Sequence, residues 1–128
     1  MTTQEIDKLS NKLIGCAIEV HRNMGPGLLE SVYEHCLMEE LHAQCIMARR
    51  QVHVPLVYKG KELDACYTMD ILVENEIILE LKAVTELHPV FEAQVISYLR
   101  LAHKRLGFIL NFNVPVMKSG IRRFANGL

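Results

Sequence analysis

The stretch ILELKAV, residues 78–84, determines the predicted structure of the middle of the chain, because it places two charges inside an apolar strand. Five of its seven residues are apolar, which is typical of a strand that is buried on both faces. Glu80 and Lys82 are the exceptions. Charged side chains are almost never fully buried unless something pairs with them. The strand therefore needs a partner for these two residues.

The residues before this stretch supply a candidate partner. The run DILV, 70–73, leads into the turn ENE, 74–76, so the segment predicts a β-hairpin. If the hairpin turns at Asn75, residues equidistant from Asn75 face each other, and Asp70 lies opposite Glu80. Such residues have Cβ atoms about 5 Å apart, where like charges repel. Lys82 points to the same face as Glu80, and a slip of one residue would spoil the arrangement.

Three arrangements would account for two carboxylates that face each other on an apolar sheet. They would share a proton, form a structural ion pair with Lys82, or hold a divalent cation. Mg²⁺ prefers hard oxygens from one or two carboxylates, with waters and a phosphate completing its shell. Such a cation polarises phosphoryl oxygens and activates water, and a neighbouring lysine can orient that water. The spacing leaves all three open, because a charged pair is also typical of a solvated strand face.

Outward from the hairpin, the periodicity predicts one α/β domain over residues 1–128 with the order α-α-β-β-β-α-β. A three-stranded meander, a crossover helix and a further strand make a mixed sheet of about four strands flanked by helices. The segment IRRFA, 121–125, suits either a short strand or a helical turn. The predicted helices cover 6–22, 28–43 and 89–103, and the predicted strands 51–58, 63–73, 76–84 and 107–114.

The composition is that of a cytoplasmic globular protein. Half of the 128 residues are apolar, and the net charge of −1 argues against coating nucleic acid by bulk attraction. The apolar runs are too short to span a membrane, and the first residues are too polar for a signal peptide. The four cysteines form no CxxC pair, so we expect buried small side chains instead of metal ligands.

Two motifs of the sequence resemble those of known protein families. The residues MD…ELK, with Asp70, Glu80 and Lys82 in a hairpin, resemble the signature of the PD-(D/E)XK nuclease superfamily, although Met69 replaces its proline. The segment GPGLLESVYEHCLMEEL, 25–41, resembles the opening motif of the small bacterial GxxExxY proteins. Later segments resemble that family in the same order. The resemblance covers nearly the whole chain and implies a restriction-endonuclease-like fold.

The resemblance also implies a role for each residue that matches the superfamily. Asp70 and Glu80 match its metal ligands, and Lys82 matches the lysine that acts on the attacking water. The backbone carbonyl of Leu81 stands where a carbonyl often completes the metal shell. Glu30 matches a glutamate that reaches the metal in related branches, here through a water. An acidic residue in the first turn of a helix also suits the helix dipole, so Glu30 has a second explanation.

Three further residues match positions outside the hairpin. Gln94 and Tyr98 resemble a Gln-x-x-x-Tyr pair that orients the lysine or the nucleic acid backbone. Their spacing of four places both on one face of a helix, although they could also cap loops. Tyr33 of the GxxExxY motif also continues the apolar stripe of its helix, so it fits the core equally well.

Together these matches imply a Mg²⁺- or Mn²⁺-dependent nuclease that hydrolyses phosphodiester bonds, with DNA as the expected substrate. A chain of this size would gain grip on DNA from a homodimer or a protein partner. The alternative is a non-catalytic module that binds nucleic acid or protein and retains the nuclease fold. Basic residues that would contact phosphates without reading bases, or that simply keep the surface soluble, occur in groups: Arg49-Arg50, Lys59 with Lys61, Lys104-Arg105, and Arg122-Arg123 with Lys118.

Overall fold

A computed structural model describes residues 1–128. It confirms the predicted element order and adds a fifth strand, formed by the IRRFA segment. The helices are α1 (Thr3–Met24), α2 (Glu30–Ala43) and α3 (Pro89–Leu101), with a short 3₁₀ turn at Met117–Gly120. The strands are β1 (Ala48–Tyr58), β2 (Lys61–Val73), β3 (Ile77–Lys82), β4 (Leu106–Asn111) and β5 (Ile121–Ala125).

The five strands form one mixed sheet in the order β1-β2-β3-β4-β5. Strands β3 and β4 run parallel because α3 crosses over between them, and every other neighbouring pair is antiparallel. The hairpin of β2 and β3 has the predicted register, since its paired residues are equidistant from Asn75. These pairs are Ile71–Leu79, Leu72–Ile78 and Val73–Ile77.

The sheet separates two apolar clusters. Helices α1 and α2 pack on one face and bury the larger cluster, which includes Ile71 of β2 and Leu79 and Leu81 of β3. Helix α3 packs on the other face, where Val95 and Leu99 belong to a smaller cluster. Since side chains alternate along a strand, Glu80 and Lys82 point to the α3 face, opposite to Leu79 and Leu81.

At one point along β1 and β2, the side chains that faced one side of the sheet change to the other side. The alternation of the sequence does not predict this change. Ala48 packs against the larger cluster, whereas Val52, an even number of residues later, packs against the smaller one. Gln51, the residue immediately before Val52, has a left-handed φ of 52°. Strand β2 changes face at the same level, because Met69 and Ile71 belong to different clusters. The residue between these two is Asp70, so the switch sits at the predicted site.

Two further predictions concern the burial of the cysteines and the ability of a helix to cross a membrane. Cys16 is buried and Cys36 is half-buried, but Cys45 and Cys66 are exposed, so the expectation of four buried cysteines is wrong for two of them. None forms a disulfide. No helix combines the length and the apolar character that crossing a membrane requires.

Candidate active site

Asp70 lies where β2 separates from β3. The backbone pairing between the two strands ends at Ile71 and Leu79, so the next amide of β3 on that side has no ladder partner. That amide, the N–H of Leu81, donates instead to Oδ2 of Asp70 over 2.8 Å. The side chain of Asp70 therefore replaces a backbone carbonyl, and this bond fixes its carboxylate beside β3.

Glu80 is the buried member of the pair. The residue is only 6% exposed, and its Oε1 atom has no hydrogen-bond partner. Burial, the negative charge of Asp70 and the contact between the two side chains together raise the pKa of Glu80 to about 9, in that order of importance. These effects favour the protonated form of Glu80 at neutral pH when no cation is bound. They agree with the arrangement in which the two carboxylates share a proton.

Lys82 does not neutralise the two carboxylates. It forms no ion pair with either of them. Its Nζ atom lies over the ring of Phe91, 4.3 Å from the ring centroid. The positive charge of Lys82 is still close enough to oppose the rise in the pKa of Glu80. The structural ion pair is therefore absent, and the lysine remains available beside the pair.

Tyr98 lies beside this group together with Tyr67, which was not predicted from the sequence. The ring of Tyr98 stacks on that of Tyr67, with centroids 4.1 Å apart, and the Tyr67 hydroxyl donates to the backbone oxygen of Tyr98. Burial raises the pKa of Tyr98, and the charges of Glu80 and Asp70 raise it further. Burial also raises the pKa of Tyr67 to about 12. Two tyrosines therefore line the carboxylate pair.

The structure does not bring every predicted residue to this group. Gln94 lies on α3 one turn before Tyr98, and its side chain is exposed and forms no hydrogen bond. Glu30 is exposed at the first position of α2, which packs on the opposite face of the sheet from Glu80 and Lys82. No three His, Cys, Asp or Glu residues are grouped closely enough to hold a metal ion. Glu30 is therefore not grouped with the pair, and its position agrees with the helix-dipole explanation.

The conspicuous residues of the GPGLLESVY segment shape the loop between α1 and α2. The Tyr33 side chain is buried and stacks on Phe112, with ring centroids 4.5 Å apart. Its hydroxyl donates to the Gly25 carbonyl over 2.6 Å and accepts from the Leu28 amide over 3.1 Å. Gly27 has a φ of 98°, which favours glycine. Tyr33 is therefore a core residue that fastens this loop.

A polar contact from α2 supports the face switch next to Asp70. Glu34 is 6% exposed, and its Oε1 accepts hydrogen bonds of 3.0 Å from Nε of Arg50 and from Nε2 of Gln51. Gln51 is the left-handed residue of β1, and the register of the strand pair places it opposite Asp70. The sequence carried one signal for this contact, which is the acidic Glu34 next to the apolar stripe of α2.

Several basic residues expected to contact phosphates are engaged within the protein. Arg50 pairs with Glu34, Lys104 donates to the Asn75 carbonyl, and Arg122 donates to backbone carbonyls. These contacts leave fewer free cations than the sequence suggested.

Comparison with known proteins agrees with this geometry. A family model described as the PD-(D/E)XK nuclease superfamily matches residues 7–124, which is nearly the whole chain. No curated protein and no solved structure matches the chain. The matched region contains Asp70, Glu80 and Lys82, which the hairpin places on the strand pair facing α3. The chain therefore belongs to the PD-(D/E)XK nuclease superfamily.

Proposed function

We propose that the protein is a nuclease of the GxxExxY group that hydrolyses phosphodiester bonds in DNA with the help of Mg²⁺ or Mn²⁺. The observation that carries this proposal is the buried Oε1 atom of Glu80, which has no hydrogen-bond partner and lies in the group that also contains Asp70. An unpartnered buried oxygen is unfavourable in the folded protein unless something else binds there. Nucleic acid as the substrate class follows from the superfamily.

The chemistry of the donors fits a hard divalent cation. Asp70 and Glu80 would supply carboxylate oxygens, and the backbone carbonyl of Leu81 would add a third. Mg²⁺ is commonly bound by one or two carboxylates, with water and substrate phosphate filling the remaining positions, so the absence of a third acidic residue agrees with this cation. When bound, the cation would polarise the phosphoryl group and lower the pKa of water.

The remaining residues would orient the reactants. The Lys82 ammonium lies on the same face as the carboxylates, where it would hold the attacking water or steady the charge that develops on the phosphate. Tyr98 would restrict the position of the lysine and the scissile phosphate through its ring and hydroxyl. Gln94, exposed one turn earlier on the same helix, would contact the nucleic acid backbone.

The first experiment separates binding of the cation from chemistry. We expect Asp70→Ala and Glu80→Ala to abolish Mg²⁺ binding in calorimetry while circular dichroism shows a folded chain. Lys82→Ala should bind Mg²⁺ and lose cleavage of DNA by at least about 100-fold, the usual effect of removing one proton-transfer group. Asp7→Ala, which removes an exposed carboxylate from α1, is the matched control and should change neither property. Retained Mg²⁺ binding by the Asp70 and Glu80 variants would refute the assignment of the ligands.

The alternative is a non-catalytic module that binds nucleic acid or protein and retains the fold. The engagement of Arg50, Lys104 and Arg122 within the protein favours it, since a nuclease needs free cations to hold its substrate. To test this alternative, the wild-type protein is incubated with single- and double-stranded DNA and RNA in the presence of Mg²⁺ or Mn²⁺, and cleavage and binding are measured. Cleavage of DNA supports the nuclease. Absence of cleavage on all four substrates, together with binding to one of them, would establish the module instead.

A further inference from the structure

Phe91 has no role in the proposed hydrolysis, although it contacts Lys82, the residue that would act on water. It lies in the first turns of α3 and is half-buried. The Lys82 ammonium sits over its ring at 4.3 Å from the centroid, well within the distance at which the face of an aromatic ring attracts a cation. Lys82 has no ion pair. The ring is therefore the contact that the structure shows for this charge.

The contact is notable because two carboxylates lie on the same face of the sheet. Glu80 is two residues from Lys82 along β3, which is about 7 Å for side chains on one face. A lysine side chain is long and has three donors, so it could turn toward Asp70 or Glu80. A lysine on either carboxylate would occupy oxygens that the proposed cation needs. Its position over the ring leaves those oxygens free.

We propose that Phe91 is a positioning residue that holds Lys82 next to the carboxylate pair and keeps it from competing with the divalent cation. The inference rests on the proposed function, because the competition matters only if a cation binds there. Removing the aromatic face while keeping an apolar side chain should let Lys82 move onto the carboxylates. The cation would then have to displace the lysine, so its affinity should fall.

Four variants test this inference by Mg²⁺ affinity in calorimetry, with no need for activity. Phe91→Leu should raise the Mg²⁺ Kd about three- to tenfold, the range expected from loss of a cation–π contact. Phe91→Tyr keeps the aromatic face and should leave the Kd unchanged. In the double variant Phe91→Leu with Lys82→Ala, the Kd should return to that of Lys82→Ala alone, because the competitor has been removed.

The rescue distinguishes positioning from a structural role. If Phe91 acted only by packing, Phe91→Leu would raise the Kd by the same factor with and without Lys82, and that result would overturn the inference. An unchanged Kd for Phe91→Leu would overturn it as well. Phe91→Met, which is similar in size and lacks a ring, gives the same comparison if the leucine variant does not fold.

A spectroscopic measurement separates this inference from the proposed function. In the wild-type protein without Mg²⁺, the Hε protons of Lys82 should resonate upfield because they lie over the Phe91 ring. Ordinary lysine shifts would contradict the contact itself, whatever the protein does. If the wild type shows the upfield shift and no Mg²⁺ binding, the proposed function fails and the competition fails with it. If the wild type binds Mg²⁺ and Phe91→Leu binds it equally well, only the inference fails.

Discussion

Glu80 is the residue whose chemistry folding changes most clearly. In the unfolded chain its carboxyl group has an ordinary pKa near 4.5, and burial beside Asp70 raises that pKa to about 9 in the folded protein. Between these two values the folded protein holds a proton that the unfolded chain has released. Stability therefore depends on pH in a direction opposite to that of an ordinary salt-bridged carboxylate.

The first prediction concerns this dependence in the absence of divalent cations. In EDTA, the contribution of Glu80 to the free energy of unfolding should be fully present below about pH 4.5. It should decline as the pH rises toward 9, by an amount on the order of a few kcal/mol. The Glu80→Gln variant resembles the protonated state and cannot titrate. It should show a flatter profile and be more stable than the wild type at pH 8, as measured by urea unfolding.

Two comparisons make this prediction decisive. The two proteins differ at a single titratable group, so the difference between the two profiles is attributed to Glu80 and its interaction with Asp70. Glu62→Gln, which changes an exposed residue of β2, should follow the wild-type profile. Parallel profiles for wild type and Glu80→Gln would mean that folding does not raise the pKa of Glu80, and the two carboxylates would then share no proton at neutral pH.

At the scale of elements, the hairpin of β2 and β3 was predictable and the switch between β1 and β2 was not. The turn at Asn75 fixed the register, and the register brought Asp70 and Glu80 together. Strict alternation along the strands, however, cannot show a reversal of faces. That reversal depends on a left-handed Gln51 and on a hydrogen bond to Glu34 from a different element. Tyr67 was missed for the same reason.

The second prediction tests whether the switch needs the conformation of Gln51. Valine adopts a left-handed φ of 52° only with strain, whereas glycine adopts it freely. Gln51→Gly should lose the bond to Glu34 and destabilise the protein by about 1 kcal/mol. Gln51→Val loses the same bond and adds strain, so it should destabilise by about 2–4 kcal/mol. Urea unfolding measures both values.

The difference in stability between the two variants isolates the effect of backbone strain, since both remove the same side-chain hydrogen bond. Equal stability of Gln51→Gly and Gln51→Val would show that the left-handed conformation is not required. We also expect Gln51→Val to weaken Mg²⁺ binding more than Gln51→Gly, because the strained residue lies opposite Asp70 in the register of the strand pair.

At the scale of the whole molecule, the sheet separates the face that α1 and α2 cover from the face that carries the carboxylate pair. Helices α1 and α2 bury the larger cluster, and α3 covers the face that carries Glu80 and Lys82. Sequence periodicity predicted the helices but not which face each one covers, because that depends on how the chain crosses the sheet. The family resemblance placed Glu30 near the pair, whereas α2 packs on the opposite face of the sheet. Tyr98 lies on α3, close enough to Glu80 and Asp70 for their charges to raise its pKa.

The last prediction concerns the packing of α3, which covers the face that carries the carboxylate pair. A Cβ atom added at Gly107 of β4 would lie 3.2 Å from Cγ1 of Val95 and 3.3 Å from Cδ2 of Leu99, both on α3. Gly107→Ala should therefore displace α3 and destabilise the protein by about 1–3 kcal/mol. Phe91 and Tyr98 lie on the same helix, so Mg²⁺ binding should weaken as well. Thermal unfolding and calorimetry measure the two effects.

Gly15 provides a matched control with the opposite expectation. It lies inside α1 on the other face of the sheet, and a Cβ atom there meets nothing within 4 Å. Gly15→Ala should stabilise the protein by about 0.5–1 kcal/mol, because alanine favours a helix over glycine, and should leave Mg²⁺ binding unchanged. A Gly107→Ala protein with normal Mg²⁺ affinity would show that the site tolerates a displaced α3. The carboxylate pair would then depend on the hairpin of β2 and β3 alone.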